Sequence, residues 1–154
     1  MRIVVDDLTG PEVAALLGEH LAEMRAVSPP ESTHALDLDG LRRPEVTFWT
    51  VWDGADLLGC GALLELDPAH GEIKSMRTAS TRQGRGVGAA LVVHVVAEAH
   101  RRGYRRLSLE TGSSAHFAPA RRLYARHGFV PCPPFGDYPD DPHSAHMELV
   151  LGDP

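Results

Sequence analysis

The feature that most constrains this sequence is a glycine-rich turn between a predicted strand and a predicted helix. It reads RQGRGVGA over residues 82–89, and the apolar residues after it recur at helical spacing until Gly103. Glycines let the backbone approach an anion closely, and free N–H groups at the start of a helix point toward it. We therefore interpret the turn as a phosphate-binding loop, to which Arg82 and Arg85 add positive charge.

The charge distribution agrees with an anion site in the middle of the chain. The 154 residues carry a formal net charge of −6, but residues 71–130 hold eleven basic and three acidic residues, a balance of +8. Residues 1–70 and 131–154 have balances of −9 and −5. Arginines scattered over solvated helix faces would give similar counts. The charge therefore supports a phosphate-binding role for the loop only together with the glycines of the loop. The acidic total argues against a general nucleic-acid partner.

Size and composition restrict the class of protein further. A chain of 154 residues fits a single domain, which we expect to span residues 1–154. No apolar run approaches a membrane span, and the acidic N-terminal segment MRIVVDDLTG is unlike a signal peptide. We therefore expect a cytoplasmic protein with no membrane partner. Cys60 and Cys132 are too few for a disulfide framework, and because the nine histidines show no metal-ligand spacing, we predict no metal.

The order of predicted elements indicates an α/β (α+β) fold. Hairpin-linked strands precede one β-α-β crossover, which favours a central mixed sheet with helices on both faces. We predict helices over residues 8–25, 86–102 and 119–127, an ambiguous segment over 31–43, and strands over 2–5, 46–52, 57–66, 72–78, 107–111, 129–130 and 147–151.

The glycine-rich turn also matches a second anion-binding pattern. Residues 84–89 fit the dinucleotide fingerprint GxGxxA, and Glu110 lies about twenty residues beyond the fingerprint. However, the fingerprint lies in mid-chain, and a single crossover follows where two mononucleotide-binding halves would be needed. A dinucleotide-dependent dehydrogenase is therefore disfavoured.

Several motifs resemble the GNAT superfamily of acyl-CoA-dependent N-acetyltransferases. Gln83-x-x-Gly86-x-Gly88 resembles the family signature Q/R-x-x-G-x-G/A, and LYARHGF at residues 123–129 is similar to L-Y-x-x-x-G-F. Glu72 stands eleven residues before Gln83, the spacing of the general-base glutamate in histone-acetyltransferase-type members. GEIKSMRT, RLSLETGS and PFGDYPDDPHS also resemble a bacterial branch of YsnE-like proteins. The resemblance covers essentially the whole chain and implies the GNAT fold, with a mostly antiparallel sheet of six to seven strands.

This resemblance implies acetyl-CoA (coenzyme A) as the co-substrate. The glycine-rich loop would hold its pyrophosphate, and the strand before the loop would pair with the pantetheine arm. A backbone N–H near Met76 or Arg77 would polarise the thioester carbonyl. The residues assigned to the cofactor in this way are Met76, Arg77, Thr78, Arg82, Gln83, Gly84, Arg85, Gly86, Val87, Gly88 and Ala89.

The resemblance also implies two catalytic residues. Tyr124 takes the position of the general acid, and Glu72 is the first choice of general base, since an amine must lose a proton before it attacks. Tyr124 could instead be a core aromatic residue, and Glu72 a strand-end carboxylate paired with Lys74. Glu110 and His116 are the alternative bases.

One position departs from the family pattern. Many members place an asparagine that contacts the cofactor seven residues before the tyrosine, and here that residue is Phe117. We expect Ser113 or Ser114 in the preceding loop to replace the lost hydrogen bond.

The acceptor site is less well defined by the sequence. His34 could bind a substrate carboxylate or be an ordinary surface histidine. Asp137 and Tyr138 lie in an aromatic and acidic loop that suits either a cationic amine or a contact within a homodimer, and Glu110 is a further candidate for contact with the acceptor. The acidic flanks of the chain favour a cationic amine.

These observations predict a bacterial acetyl-CoA-dependent N-acetyltransferase. It would move an acetyl group directly to the primary amine of a small molecule or amino-acid-like acceptor. Two alternatives stay open: a catalytically silent acyl-CoA-binding sensor, and a protein or peptide lysine acetyltransferase.

Overall fold

The computed structural model describes residues 1–32 and 36–152, and the strands of this part of the chain form one seven-stranded sheet. The strand order is β1-β2-β3-β4-β5-β7-β6, and all neighbours are antiparallel except the parallel pair β4 and β5. The predicted mixed, mostly antiparallel sheet is therefore confirmed. The strands are β1 (Arg2–Val5), β2 (Val46–Asp53), β3 (Asp56–Asp67), β4 (His70–Thr78), β5 (Arg106–Gly112), β6 (Val130–Pro131) and β7 (Ser144–Val150).

The helices are α1 (Pro11–Val27), α2 (Leu38–Leu41), α3 (Val87–Arg102) and α4 (Ala118–Arg126). We predicted that the first helix begins at Leu8, but it begins three residues later. The Leu8 N–H donates to Asp6 Oδ1 at 2.8 Å and the Thr9 N–H donates to Asp7 Oδ1 at 3.1 Å. These local bonds compete with helix formation and delay it until Pro11. None of the described helices is long and apolar enough to cross a membrane.

Helices cover both faces of the sheet, as predicted. Neighbouring strand residues point to opposite faces, so Phe48 packs under α1 and α2, whereas Trp49 packs under α3 and α4. The core under α1 and α2 contains Leu8, Val13, Leu16, Leu17, Leu41, Phe48, Cys60 and Ala62. The core on the other face contains Trp49, Leu63, Ile73, Val92, Val95, Ala99, Tyr104, Leu107, Leu109, Tyr124, Phe129 and Met147.

The parallel strands β4 and β5 part halfway along their length. Their register ends at Ile73 and Leu109, although β4 continues to Thr78 and β5 to Gly112. A bulge in β4 bends the strand at this point: Cys60 is opposite Arg77 and Ala62 is opposite Lys74, so that Ser75 and Met76 share one partner position on β3. Ser75 has a φ of 55°. The sheet therefore opens into a cleft between the carboxyl ends of β4 and β5.

Candidate active site

The cleft between β4 and β5 leads into a cavity of about 750 Å³. One side of the cavity is formed by α1 and the other by the first turn of α3 and by α4, so the cavity joins the two faces of the sheet. It brings most of the predicted site residues together. Those that line it are Glu72, Met76, Arg77, Thr78, Gln83, Gly84, Gly86, Val87, Gly88, Ala89, Glu110, Tyr124 and Tyr138.

The glycine-rich loop presents the start of α3 to this cavity. Gly84 and Gly86 have φ values of 82° and 77°, a left-handed conformation that favours glycine. The first intrahelical bond from this loop runs from the Ala90 N–H to the Gly86 carbonyl at 3.0 Å, and no side chain caps the helix. The preceding N–H groups of the first turn therefore have no intrahelical acceptor. A Cβ at Gly86 would meet no atom within 4 Å, so an anion can approach these donors.

Arg82 and Arg85 do not line the cavity. Arg82 pairs with Asp56 at 3.3 Å, and Arg85 pairs with Asp53 at the same distance, across the hairpin between β2 and β3. All four side chains are at least one-third exposed. Exposed pairs of this kind contribute about 0–1 kcal/mol, so either arginine could be released toward a bound anion at small cost.

The bulged strand offers its backbone to the cavity. The Arg77 side chain is turned toward α1, where its Nη2 donates to Glu19 Oε1 at 2.5 Å and it also pairs with Glu23. Met76 packs against the hydrophobic core between α3 and the sheet. The side chains of both residues are thus engaged elsewhere, and the Arg77 N–H lies against the Cys60 thiol. Any contact of these residues with a cofactor would therefore involve the backbone of the bulge.

Tyr124 belongs to the hydrophobic core and also lines the cavity. It is 6% exposed, and its ring contacts Phe129 edge to face with centroids 5.6 Å apart. Burial raises the pKa of its phenol far above the usual range. The hydroxyl therefore stays protonated at neutral pH, which a proton donor requires. The structural and catalytic interpretations of this residue are compatible.

Phe117 fills the space beside the end of β5. A Cβ at Gly112 would lie 1.9 Å from the Phe117 ring, so the ring packs directly on the Gly112 backbone. The Ser113 hydroxyl donates to the Pro142 carbonyl at 2.6 Å, and the Ser114 carbonyl accepts from Arg121 at 2.9 Å. Neither serine is among the residues that line the cavity.

Glu72 is held in a buried hydrogen-bonded cluster with Lys74 and Tyr138. The Tyr138 hydroxyl donates to Glu72 Oε2 at 2.5 Å, and Lys74 Nζ lies 3.2 Å from the same oxygen. Lys74 also donates to the Tyr138 hydroxyl at 3.0 Å. Glu72 is only 3% exposed. The pairing with Lys74 that we considered for a strand-end carboxylate is therefore present, and the carboxylate also lines the cavity.

Glu110 is the second carboxylate in the cavity. It lies near the end of β5, beyond the point where β5 parts from β4. Burial raises the pKa of Glu110 to about 7, although Ser144 and Lys74 oppose the shift. A carboxyl group that titrates near neutral pH is suited to proton transfer at that pH.

The remaining predicted residues lie in different places. His116 lines the cavity, where its Nε2 is 3.2 Å from Glu23 Oε1 on α1. Asp137 instead lines a separate cavity of about 540 Å³ with His70 and Arg106, so it does not face the same space as its neighbour Tyr138. His34 lies outside the described residues. Within residues 1–32 and 36–152, no group of three or more His, Cys, Asp or Glu could hold a metal ion.

Two buried residues of the cavity were missed by our sequence reasoning. His20 is 8% exposed, and burial lowers its pKa to about 4, so it is neutral at physiological pH. It follows Val13, Leu16 and Leu17 at helical spacing, so the buried face of α1 could have revealed it. Ser75 is 9% exposed, and its position at a bulge has no signal in the sequence.

Comparison with known proteins gives a consistent result. The model of the acetyltransferase (GNAT) family matches residues 13–129. The uncharacterized N-acetyltransferase YsnE of Bacillus subtilis is 56% identical over 151 residues, which are 98% of this chain and 100% of the relative. The uncharacterized N-acetyltransferase YedL of Escherichia coli is 52% identical over 149 residues, which are 97% of this chain and 94% of the relative.

Solved structures share the fold. A Klebsiella pneumoniae protein described as an acyl-CoA N-acyltransferase superposes with a TM-score of 0.79 and 26% identity, over 98% of this chain and 97% of the other. A Bacillus subtilis acetyltransferase in complex with CoA superposes with a TM-score of 0.68 and 20% identity, over 97% and 98% of the two chains.

Proposed function

The chain belongs to the acetyltransferase (GNAT) family of N-acetyltransferases, and on that basis we propose that it transfers an acetyl group directly from acetyl-CoA to the primary amine of a small-molecule or amino-acid-like acceptor. The observation that carries the proposal is the single cavity that holds the glycine-rich loop, the β4 bulge, Tyr124 and two carboxylates. We also propose that residues 1–154 act as one domain in the bacterial cytoplasm, because the relatives YsnE and YedL come from bacteria and acetyl-CoA is a cytoplasmic metabolite.

The cofactor end of the cavity fits a phosphate-bearing acyl carrier. Acetyl-CoA, when bound, supplies an acetyl group activated as a thioester. Residues 83–89 would hold its phosphates through the free N–H groups at the start of α3, aided by the helix dipole. The bulged backbone at Met76 and Arg77 would donate to the acetyl carbonyl oxygen, where negative charge develops during attack.

The proton transfers are assigned to residues that line the same cavity. An alkylamine is mostly charged at neutral pH, so a base must first accept its proton, and Glu72, Glu110 and His116 are the candidates that line the cavity. Tyr124 would give the proton of its hydroxyl to the leaving sulfur. The phenol is protonated at neutral pH, so this proton is present to be given.

The acceptor end of the cavity is lined by polar and acidic side chains. It is bounded by Ser28 and Ser32 after α1 and by Tyr138 from the loop before β7. Glu23, Glu72 and Glu110 lie in this part of the lining, and their charge suits a cationic amine.

The proposal is tested by measuring thiol release from acetyl-CoA over a panel of small amines, amino acids and a lysine-containing peptide. Mass spectrometry then identifies the acetylated product, and calorimetry gives the affinity for coenzyme A. We expect turnover with one class of small amine. Binding of coenzyme A without thiol release from any amine would support the sensor instead. Faster turnover of the peptide would favour a protein acetyltransferase.

A further inference from the structure

Glu72 and Glu110, two of the carboxylates that line the cavity, have different surroundings, and we propose that they have different roles. Glu110 accepts the proton of the acceptor amine, whereas Glu72 is a positioning residue that holds the loop over residues 132–143 against β4 through Tyr138 and Lys74. This inference rests on the proposed function, because it divides the proton transfer and the shaping of the acceptor site between two residues that line one cavity.

Glu72 is already engaged by two donors. One of its oxygens, Oε2, accepts from the Tyr138 hydroxyl at 2.5 Å and lies 3.2 Å from Lys74 Nζ. Both contacts hold this carboxylate against the loop and against its own strand. The side chain is 4% exposed and that of Lys74 is 10% exposed, so the attraction between them is weakly screened. Protonation of Glu72 would leave the Lys74 ammonium buried without its counter-charge.

The same contacts fasten the 132–143 loop. Tyr138 comes from this loop, and its ring packs edge to face against Phe135 and His146, at centroid distances of 5.1 Å and 5.2 Å. Lys74 Nζ lies 5.6 Å from the centre of the Tyr138 ring. The hydroxyl then reaches β4 and bonds to Glu72. This bond adds to those that Ser113 donates to the Pro142 carbonyl and Ser32 donates to Asp141, and it holds the loop at the acceptor end of the cavity.

Glu110 has the surroundings expected of a proton acceptor. It faces the cavity, and no basic side chain bonds directly to it among the hydrogen bonds of the described residues. Burial is the largest cause of its raised pKa, which lies at about 7. The titratable and polar groups around it come from β4, from the 132–143 loop and from β7. They are Glu72, Lys74, Tyr138, Asp141, Ser144 and His146.

The proton transfers of the proposed step involve Glu110 and Tyr124. The Glu110 carboxylate takes one proton from the ammonium group of the acceptor. The neutral nitrogen then forms a C–N bond to the acetyl carbon while the C–S bond breaks, and the sulfur receives the proton of the Tyr124 hydroxyl. The nitrogen is positively charged after the attack and loses a second proton, which restores the Tyr124 hydroxyl. Glu110 releases its proton to solvent, so both residues return to their starting states. Glu72 keeps the same charge throughout.

The first experiment compares the pH profiles of kcat/KM for the wild type, Glu110→Gln, Glu72→Gln and Tyr138→Phe. The wild type should lose activity as the pH falls through about 7. Glu110→Gln should lose this inflection and fall about 10²- to 10⁴-fold at neutral pH. Glu72→Gln should retain the inflection at a lower pH, since a neighbouring negative charge is removed.

Tyr138→Phe should retain the inflection of the pH profile. Its KM for the amine should rise about tenfold, which corresponds to the loss of one hydrogen bond to a charged group. An inflection lost in Glu72→Gln and kept in Glu110→Gln would overturn the proposal.

The second experiment needs no turnover. Hydrogen–deuterium exchange of the 132–143 loop should increase at least several-fold in Tyr138→Phe and Glu72→Gln, and should be unchanged in Glu110→Gln. Unchanged exchange in Tyr138→Phe would refute the positioning role. Tyr138→Phe removes one oxygen atom, so it keeps the test available if Glu72→Gln does not fold. If no amine is acetylated, the proposed function fails while this experiment still decides whether Glu72 holds the loop.

Discussion

Arg77 Nη2 lies 2.5 Å from Glu19 Oε1, and this ion pair joins the bulged strand β4 to helix α1 beside the cavity. The Arg77 side chain is 11% exposed and also pairs with Glu23, so its charge is well satisfied by α1. Any contact of Arg77 with the cofactor therefore falls to its backbone. The side chain of Arg77 therefore stabilises the fold, whereas its backbone is the part that can contact a cofactor.

Arg77→Met should destabilise the protein and leave cofactor binding nearly unchanged. Loss of a largely buried pair with two carboxylates should lower the free energy of unfolding by about 2 kcal/mol. The control is Arg101→Ala, because the Arg101 side chain is 71% exposed in its pair with Glu98 and should contribute little to stability. Urea denaturation measures both variants, and calorimetry measures their affinity for coenzyme A. Equal stability losses in the two variants would contradict this assignment.

Gly86→Ala should weaken coenzyme A binding, whereas Gly103→Ala should not. The two glycines flank α3, with φ values of 77° and 79°, and a Cβ at either position would meet no atom within 4 Å. Alanine should therefore strain the backbone by a similar amount, about 1 kcal/mol, at both ends of the helix. Only the Gly86 end lines the cavity. Calorimetry and thermal unfolding should show similar stability losses but an affinity loss confined to Gly86→Ala. Unchanged affinity in that variant would refute the phosphate-binding role.

Tyr124→Phe should lower kcat about tenfold to a hundredfold with little change in KM, because the proton donor acts in the transition state. Tyr104→Phe is the matched control. Tyr104 is 2% exposed, its hydroxyl donates to Glu65 Oε1 at 2.6 Å, and it does not line the cavity. Its loss should lower stability by about 1 kcal/mol and leave kcat unchanged. Steady-state kinetics measure kcat and KM of both variants. A parallel change in kcat and KM of Tyr124→Phe would indicate that Tyr124 has a packing role alone.

Glu110→Gln should stabilise the protein in alkaline solution. Burial raises the pKa of Glu110 from 4.5 to about 7 in the folded state, so the fold favours the neutral carboxyl. Its contribution to stability is fully present below the unfolded pKa and is lost as the pH rises through the folded pKa. The glutamine variant should therefore gain up to roughly 3 kcal/mol on the wild type above pH 7, and the gain should disappear near pH 4. Chemical denaturation near pH 4 and above pH 7 measures the difference in stability between the variant and the wild type. A gain in stability that is independent of pH would exclude ionisation of Glu110 as its cause.

Much of the fold was predictable because it depends on local patterns. The helical spacing after the glycine-rich turn and the glycine at residue 103 defined α3 to within one residue. The family resemblance, confirmed by comparison with known proteins, gave the sheet and its single parallel pair. The aspartates before Pro11 delayed the first helix because their side chains bonded to nearby N–H groups, a competition that apolar spacing does not reveal.

The site was less predictable because it depends on contacts between distant segments. Glu72 and Tyr138 are 66 residues apart in sequence, and their hydrogen bond exists only because the 132–143 loop folds back over β4. Asp137 and Tyr138 are neighbours that line different cavities, which a compositional argument cannot separate. The pKa of Glu110 likewise depends on burial, so the sequence could name it as a candidate base but could not rank it against Glu72.

The parting of β4 from β5 lets elements from both faces of the sheet line one cavity. The lining beside α3 and α4 includes the glycine-rich loop, and the lining beside α1 includes side chains and the 132–143 loop. Substitutions in the second part of the lining can alter acceptor preference without changing the first. This architecture allows descendants of one ancestor to adopt new acceptors while keeping the same acetyl donor.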